Sequence, residues 1–199
     1  MLQPSEPATT PGGDGLPTIP RAQLAGLTAG ELLARATSPT VRMMGVVSLD
    51  GRKEVVRRLD TVRSALFGYW ILFIHGRHAL TGFCAELPHR TVDPDFWTLL
   101  DRSLSELDDQ EMLAITRRFR AEIERAQAAL AAAETGTGTR EWDWERTAAM
   151  LLLLDPQTMR QLDEDYRRAD AASLDGVAGY IRRHADEVFV VTDGSENVT

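Results

Sequence analysis

The chain has 199 residues, 43% of them hydrophobic and 26% charged, which allows one soluble core of ordinary size and excludes disorder throughout. A net charge of -8 and a pI near 5.0 exclude the overall basic footprint that general nucleic-acid binding needs, so no nucleic-acid partner is expected. The single cysteine, Cys84, excludes an internal disulfide and fits a reducing compartment. Lys53 is the only lysine among 22 basic residues, and alanine is abundant. Both reflect GC-rich, bacterial-like coding and carry no functional meaning.

The pattern predicts an all-α multi-helix bundle of about seven or eight helices. Residues 1–22 are read as a disordered N-terminal segment, because Pro, Gly, Thr and Ser bury too little apolar area to offset the entropy of ordering. The segment shows neither the basic start nor the apolar run of a secretory signal. The longest apolar run, Ala65 to Ile74, is about half of what a bilayer-spanning helix needs. A cytoplasmic location is the expectation.

Residues 23–134 read as a helical domain with two short helices followed by three longer ones. Thr28 and Glu31 have capping-box spacing, and Ser38-Pro39 reads as the N-cap and first position of a second short helix. After a turn at Ser48 to Gly51, one long helix is predicted from about Arg52 to His75. Its stripe is Val55, Leu59, Val62, Leu66, Tyr69 and Phe73. Gly68 in mid-helix costs roughly 1 kcal/mol relative to alanine, which a close helix crossing would explain. Residues 89–93 read as a loop. Asp93-Pro94 restarts a helix with Phe96, Leu99, Leu100, Leu104 and Leu107 inward, and Asp108 to Glu111 has N-cap spacing for the next.

That next helix carries the most regular pattern in the chain: Met112, Ile115, Phe119, Ile123, Ala126, Leu130 and Ala133, close to three heptads. Residues 135–139 form a Gly/Thr linker. Residues 140–191 are expected to supply C-terminal helices packing on the same bundle. One begins at Trp142 and Trp144, one opens at Asp155-Pro156, and a last one is capped by Ser173. Phe189 to Val191 is read as a helix end or a short strand, and residues 192–199 as a polar tail.

Two constellations bear on function. His75, His78, Cys84 and His89 are the candidate metal ligands, since histidines three apart on a helix share a face. A transition metal or haem would suit such a group. Against it, structural zinc sites use two or more cysteines, and a histidine beside a helix C-terminus is favourable without any metal. Cys84 as a nucleophile would draw a base from His75, His78 or Glu86, but a lone cysteine between Phe83 and Ala85 reads as a small core residue. The second constellation is an interface of Met112, Ile115, Phe119, Ile123 and Leu130, joined by Trp142 and Trp144. Those two tryptophans diverge by about 200° on a helix, so both cannot face one core.

No triad, phosphate loop or dinucleotide fingerprint is present, and no catalytic residue is named. The reading is a non-catalytic helical interaction or accessory subunit that self-associates or docks on a larger protein complex, with no cofactor expected. The alternative is a small helical-bundle enzyme or metal-, haem- or cofactor-binding protein with a pocket among Tyr69, Trp70, Phe73, His75, His78 and Cys84. A weaker one is contact with an anionic membrane surface through the basic cluster Arg52 to Arg63.

Overall fold

The structure, a computed structural model, describes residues 15–76, 79–133 and 144–193, without the side chains of residues 49, 50, 88 and 89. It is all-α. Among the described residues there are eleven helical segments, eight of them seven residues or longer, and one pair of three-residue strands. No helix among them is long and apolar enough to cross a membrane. The chain divides into two compact units: residues 1–63 with 177–199, and residues 64–176. This differs from the division into 23–134 and 140–191 because the C-terminal segment returns to pair with residues near the start.

In the first unit, strand β1 (Thr18–Pro20) lies parallel to β2 (Val190–Thr192), with Ile19 opposite Val191. Ordered backbone therefore begins before residue 23, because the ladder to β2 satisfies polar groups that the N-terminal sequence alone leaves open. Helix α1 (Arg21–Gly26) follows directly, and Arg182 donates to the carbonyls of Leu24 and Leu27 at 3.5 and 3.2 Å. Helix α2 (Ala29–Val46) opens with the predicted capping box: the Glu31 amide donates to Thr28 Oγ1 and the Thr28 amide to Glu31 Oε2.

Pro39 does not start a new helix; it lies inside α2. Thr37 Oγ1 bonds back to the Leu33 carbonyl at 2.8 Å, and α2 runs on past the proline at the cost of the one amide bond that Pro39 cannot give the Arg35 carbonyl. Ser48 caps α3 (Leu49–Arg58), accepting from the Gly51 amide, so residues 48–51 are a helix start and not a free turn. The single helix predicted over 52–75 is two. Asp60 takes the Arg63 amide at 2.8 Å and starts α4 (Thr61–Gly76) afresh. Leu32, Leu33, Val177, Ile181, Val188 and Phe189 are among this unit's buried residues.

The second unit begins within α4, whose Ala65 to Leu72 stretch is buried almost throughout, as its apolar character on all sides requires. A Cβ on Gly68 would lie 2.9 Å from Ser103 Cβ and 3.3 Å from Leu99 Cγ. The close crossing inferred from this glycine is present. Helices α5 (Leu80–Glu86) and α6 (Pro88–Thr91) follow, so the expected loop after Pro88 begins with one helical turn. The Leu80 amide donates to Asp163 at 2.8 Å. Helix α7 (Pro94–Glu106) is capped by Asp93, and its predicted inward stripe is buried.

Asp108, at φ +56°, sits in the left-handed region between α7 and α8 (Gln110–Ala133). Its amide bonds Ser105 and the Asp109 amide bonds Leu104, so the last α7 carbonyls are satisfied. Asp109 caps α8, accepting from the Met112 amide. After α9 (Trp144–Leu153), Asp155 caps α10 (Pro156–Arg183) by accepting from the Thr158 amide at 2.7 Å. Helix α10 is continuous through the position where Ser173 was expected to cap a separate helix. Ala169, Ala171 and Ala172 carry the helix, and Ser173 spends its hydroxyl on tertiary partners instead. Helix α11 (Ala185–Val188) ends at Phe189, which leads into β2.

Candidate functional site

The predicted interface stripe is mostly core. Met112, Ile115, Phe119 and Ile123 are buried within the chain, and only Leu130 is half-exposed. Phe119 packs edge-on to Phe83 and Trp97 at 6.2 and 6.0 Å between ring centroids, and Phe83 lies 5.6 Å from Phe96. A three-and-four spacing serves an intramolecular core as well as a coiled coil, and here the chain's own aromatics fill it. Those four residues are not available to a partner. Trp142 and residues 135–139 lie outside the described residues.

Trp144 does stand out, with 63% of its surface exposed. It opens α9, whose Thr147 and Met150, together with Leu154 just beyond, face inward. Four consecutive leucines, Leu151 to Leu154, cannot share one face of a helix that turns about 100° per residue. Leu152 is accordingly 87% exposed. Trp144, Ala148 and Leu152, four apart, form one flank, with Trp144 and Leu152 about 80° apart around the axis and roughly 12 Å apart along it.

This flank has a rigid base. The buried Glu122 carboxylate receives both Arg125 Nη2 (2.6 Å) and Nε (2.8 Å), and Oε1 also takes the Asp155 amide at 2.6 Å. Arg125 Nη2 in turn donates to the Leu153 carbonyl at 2.6 Å, closing the α9 C-terminus. The Arg125 bonds, then the Asp155 amide, hold the Glu122 carboxyl below the usual carboxylate range against the opposing cost of burial. Spacing alone would set Glu122 and Glu124, one turn beyond Arg117, Arg118 and Arg120, on a solvated face with them. Arg120 does pair with Glu124 at 2.7 Å, but Arg117 goes to Asp101 and Arg118 to Asp165. The partner that withdraws Glu122 from solvent, the Asp155 amide, is 33 residues away, beyond the reach of any local pattern.

Of the four candidate metal ligands, His75 and Cys84 have described side chains. His75 Nδ1 meets Glu86 Oε2 at 2.7 Å. Cys84 is fully buried, and burial pushes its thiol up to about 12, so it is protonated and unreactive at neutral pH. His78 lies outside the described residues, as does the side chain of His89. Among the described residues no three His, Cys, Asp or Glu side chains are grouped to hold a metal ion.

A buried polar cluster accompanies Tyr69. Ser173 Oγ donates to Asp109 Oδ2 and accepts from the Tyr69 hydroxyl at 3.0 Å. Burial raises the phenols of both Tyr69 and Tyr166, with Asp170 adding to each, and burial raises the Asp170 carboxyl. Asp170 Oδ1 is buried with no hydrogen-bond partner among the described residues. Tyr166 lies against Gly76, where a Cβ would meet its Oη at 3.0 Å. The cluster contains no base within hydrogen-bond reach of a nucleophile that is not itself a carboxylate or phenol, and it reads as a pin between helices.

No family model, no curated protein and no solved structure matches this chain.

Proposed function

We propose that the protein is a non-catalytic helical interaction subunit of the cytoplasm that self-associates through α9. The observation that carries this is the exposed flank Trp144–Ala148–Leu152 on a helix whose far end is clamped by Arg125 and Glu122. Large aromatic and aliphatic side chains fixed on a rigid element are the usual anchors of a protein contact. The spacing is self-complementary. Trp144 and Leu152 lie equally far from Ala148, so two antiparallel copies of α9 related by a two-fold axis at Ala148 set each Trp144 against Leu152 of the second copy. The small central side chain lets the helices approach. A helix of ten residues offers a modest area, so the dimer is expected near the micromolar range.

The test is native mass spectrometry with sedimentation over a concentration series, comparing the natural chain with a Trp144→Ser, Leu152→Ser double variant. The expected result is a concentration-dependent dimer that the variant loses while keeping its melting temperature, because neither side chain belongs to the core. A chain that stays monomeric to high concentration overturns self-association and leaves α9 as a surface for a different protein.

A further inference from the structure

The first unit contains a cleft of about 240 Å³ between the start of the described chain, α2 and the junction of α3 and α4. Its walls include Leu16, Ala36, Pro39, Met43 and Leu59, and Thr40, Arg42 and Arg63 supply its polar groups. At about 30 Å³ per water in the liquid, the space equals about eight waters, hence a ligand of roughly that many heavy atoms. An apolar lining with a few placed polar groups is the general form of a small-molecule site.

Three observations define the ligand. Thr40 is 4% exposed and lines the cleft, where its hydroxyl is a donor available to a ligand's acceptor. Arg42 is exposed at the cleft and Arg63 reaches it with its Nε buried; Asp60 Oδ2 lies 3.1 Å from that Nε and offsets part of its charge. Finally, residues 29–63 hold seven basic residues (Arg35, Arg42, Arg52, Lys53, Arg57, Arg58 and Arg63) against four acidic ones (Glu31, Asp50, Glu54 and Asp60), a net of +3 in a chain of net -8. The cleft lies in a locally basic stretch of an acidic protein, where an anion is attracted and a cation is not.

We propose that this cleft binds a small amphiphilic anion, a medium-chain carboxylate, with its chain against Pro39, Met43 and Leu59 and its head group held by Arg42, Arg63 and the Thr40 hydroxyl. Pro39 inside α2 belongs to this account. A proline in a helix interior forgoes one backbone bond, and its ring forms a wall of the cleft. Association through α9 is not required for this proposal.

The experiment titrates octanoate, octanol and octylamine at neutral pH into the full-length chain labelled for amide NMR. The expected result is saturable octanoate binding with shifts centred on residues 36–43 and 59–63, about tenfold weaker for octanol and undetectable for octylamine. Arg42→Gln should weaken octanoate severalfold without changing the octanol affinity, and Thr40→Val should weaken both, with melting curves as the fold control. Equal binding of all three amphiphiles, shifts elsewhere on the chain, or no saturation overturns the proposal. So does binding only to anionic lipid vesicles, which would make the basic residues a membrane contact.

Discussion

Two residues show how a single side chain sets the terms for its neighbours. Gly68 is in α4 because Ser103 and Leu99 leave no room for a Cβ. Gly68→Ala gains about 1 kcal/mol of helix propensity and loses more to overpacking, so a net destabilisation of about 1–2 kcal/mol is expected in urea unfolding. Ser103 cannot easily turn away, since its Oγ is engaged with the Leu99 carbonyl at 2.8 Å and Ser64 at 3.2 Å. Glu122 is the second case. Its folded pKa lies below the ordinary 4.5, so its stabilisation is complete above that pH and fades as pH falls through the folded value. Glu122→Gln should therefore cost about 1–3 kcal/mol at neutral pH, and the gap between the two melting curves should close in acid. A gap independent of pH would show that the carboxylate charge does not hold α9.

At the scale of elements, local chemistry predicts helix starts better than helix ends. Thr28, Ser48, Asp93, Asp109 and Asp155 all cap helices, because a side-chain oxygen one to three residues before an amide needs nothing from elsewhere in the chain. Continuity is harder to read. Pro39 and Ser173 carry start signals that tertiary structure overrides, and Asp60 carries one that a long apolar stripe conceals. Helix α10 provides a direct check by hydrogen exchange. Amides from Ala169 to Ser173 should be protected as strongly as those on either side, whereas a helix break there would leave a fast-exchanging gap. The Tyr69–Ser173–Asp109 contacts depend on that continuity for the placement of Ser173.

For the molecule as a whole, the pairing of β1 with β2 brings opposite ends of the described chain together, Ile19 lying opposite Val191. Phe189, just before β2, is 2% exposed. Phe189→Ala should cost about 3–5 kcal/mol, a large share of a small protein's total, and should speed amide exchange in Thr18–Pro20. Phe189→Leu, which keeps most of the volume, should cost much less, as read by circular dichroism during urea unfolding.

The sequence by itself determined the all-α class, the inward stripes, the main caps, the close crossing at Gly68 and the fact that Trp142 and Trp144 cannot share one face of a helix. Each follows from periodicity, side-chain size or a bond within a few residues. Only the tertiary structure decided that the heptad-like stripe of α8 faces its own aromatics, that Glu122 is buried, that Leu152 is the leucine left outside and that Thr40 lines a cleft. Periodicity says which residues share a face, but not what covers that face. Cover comes from segments tens of residues away, as with Glu122 and the Asp155 amide. The proposed contact and the proposed ligand site both rest on residues whose role depends on what the rest of the chain leaves uncovered.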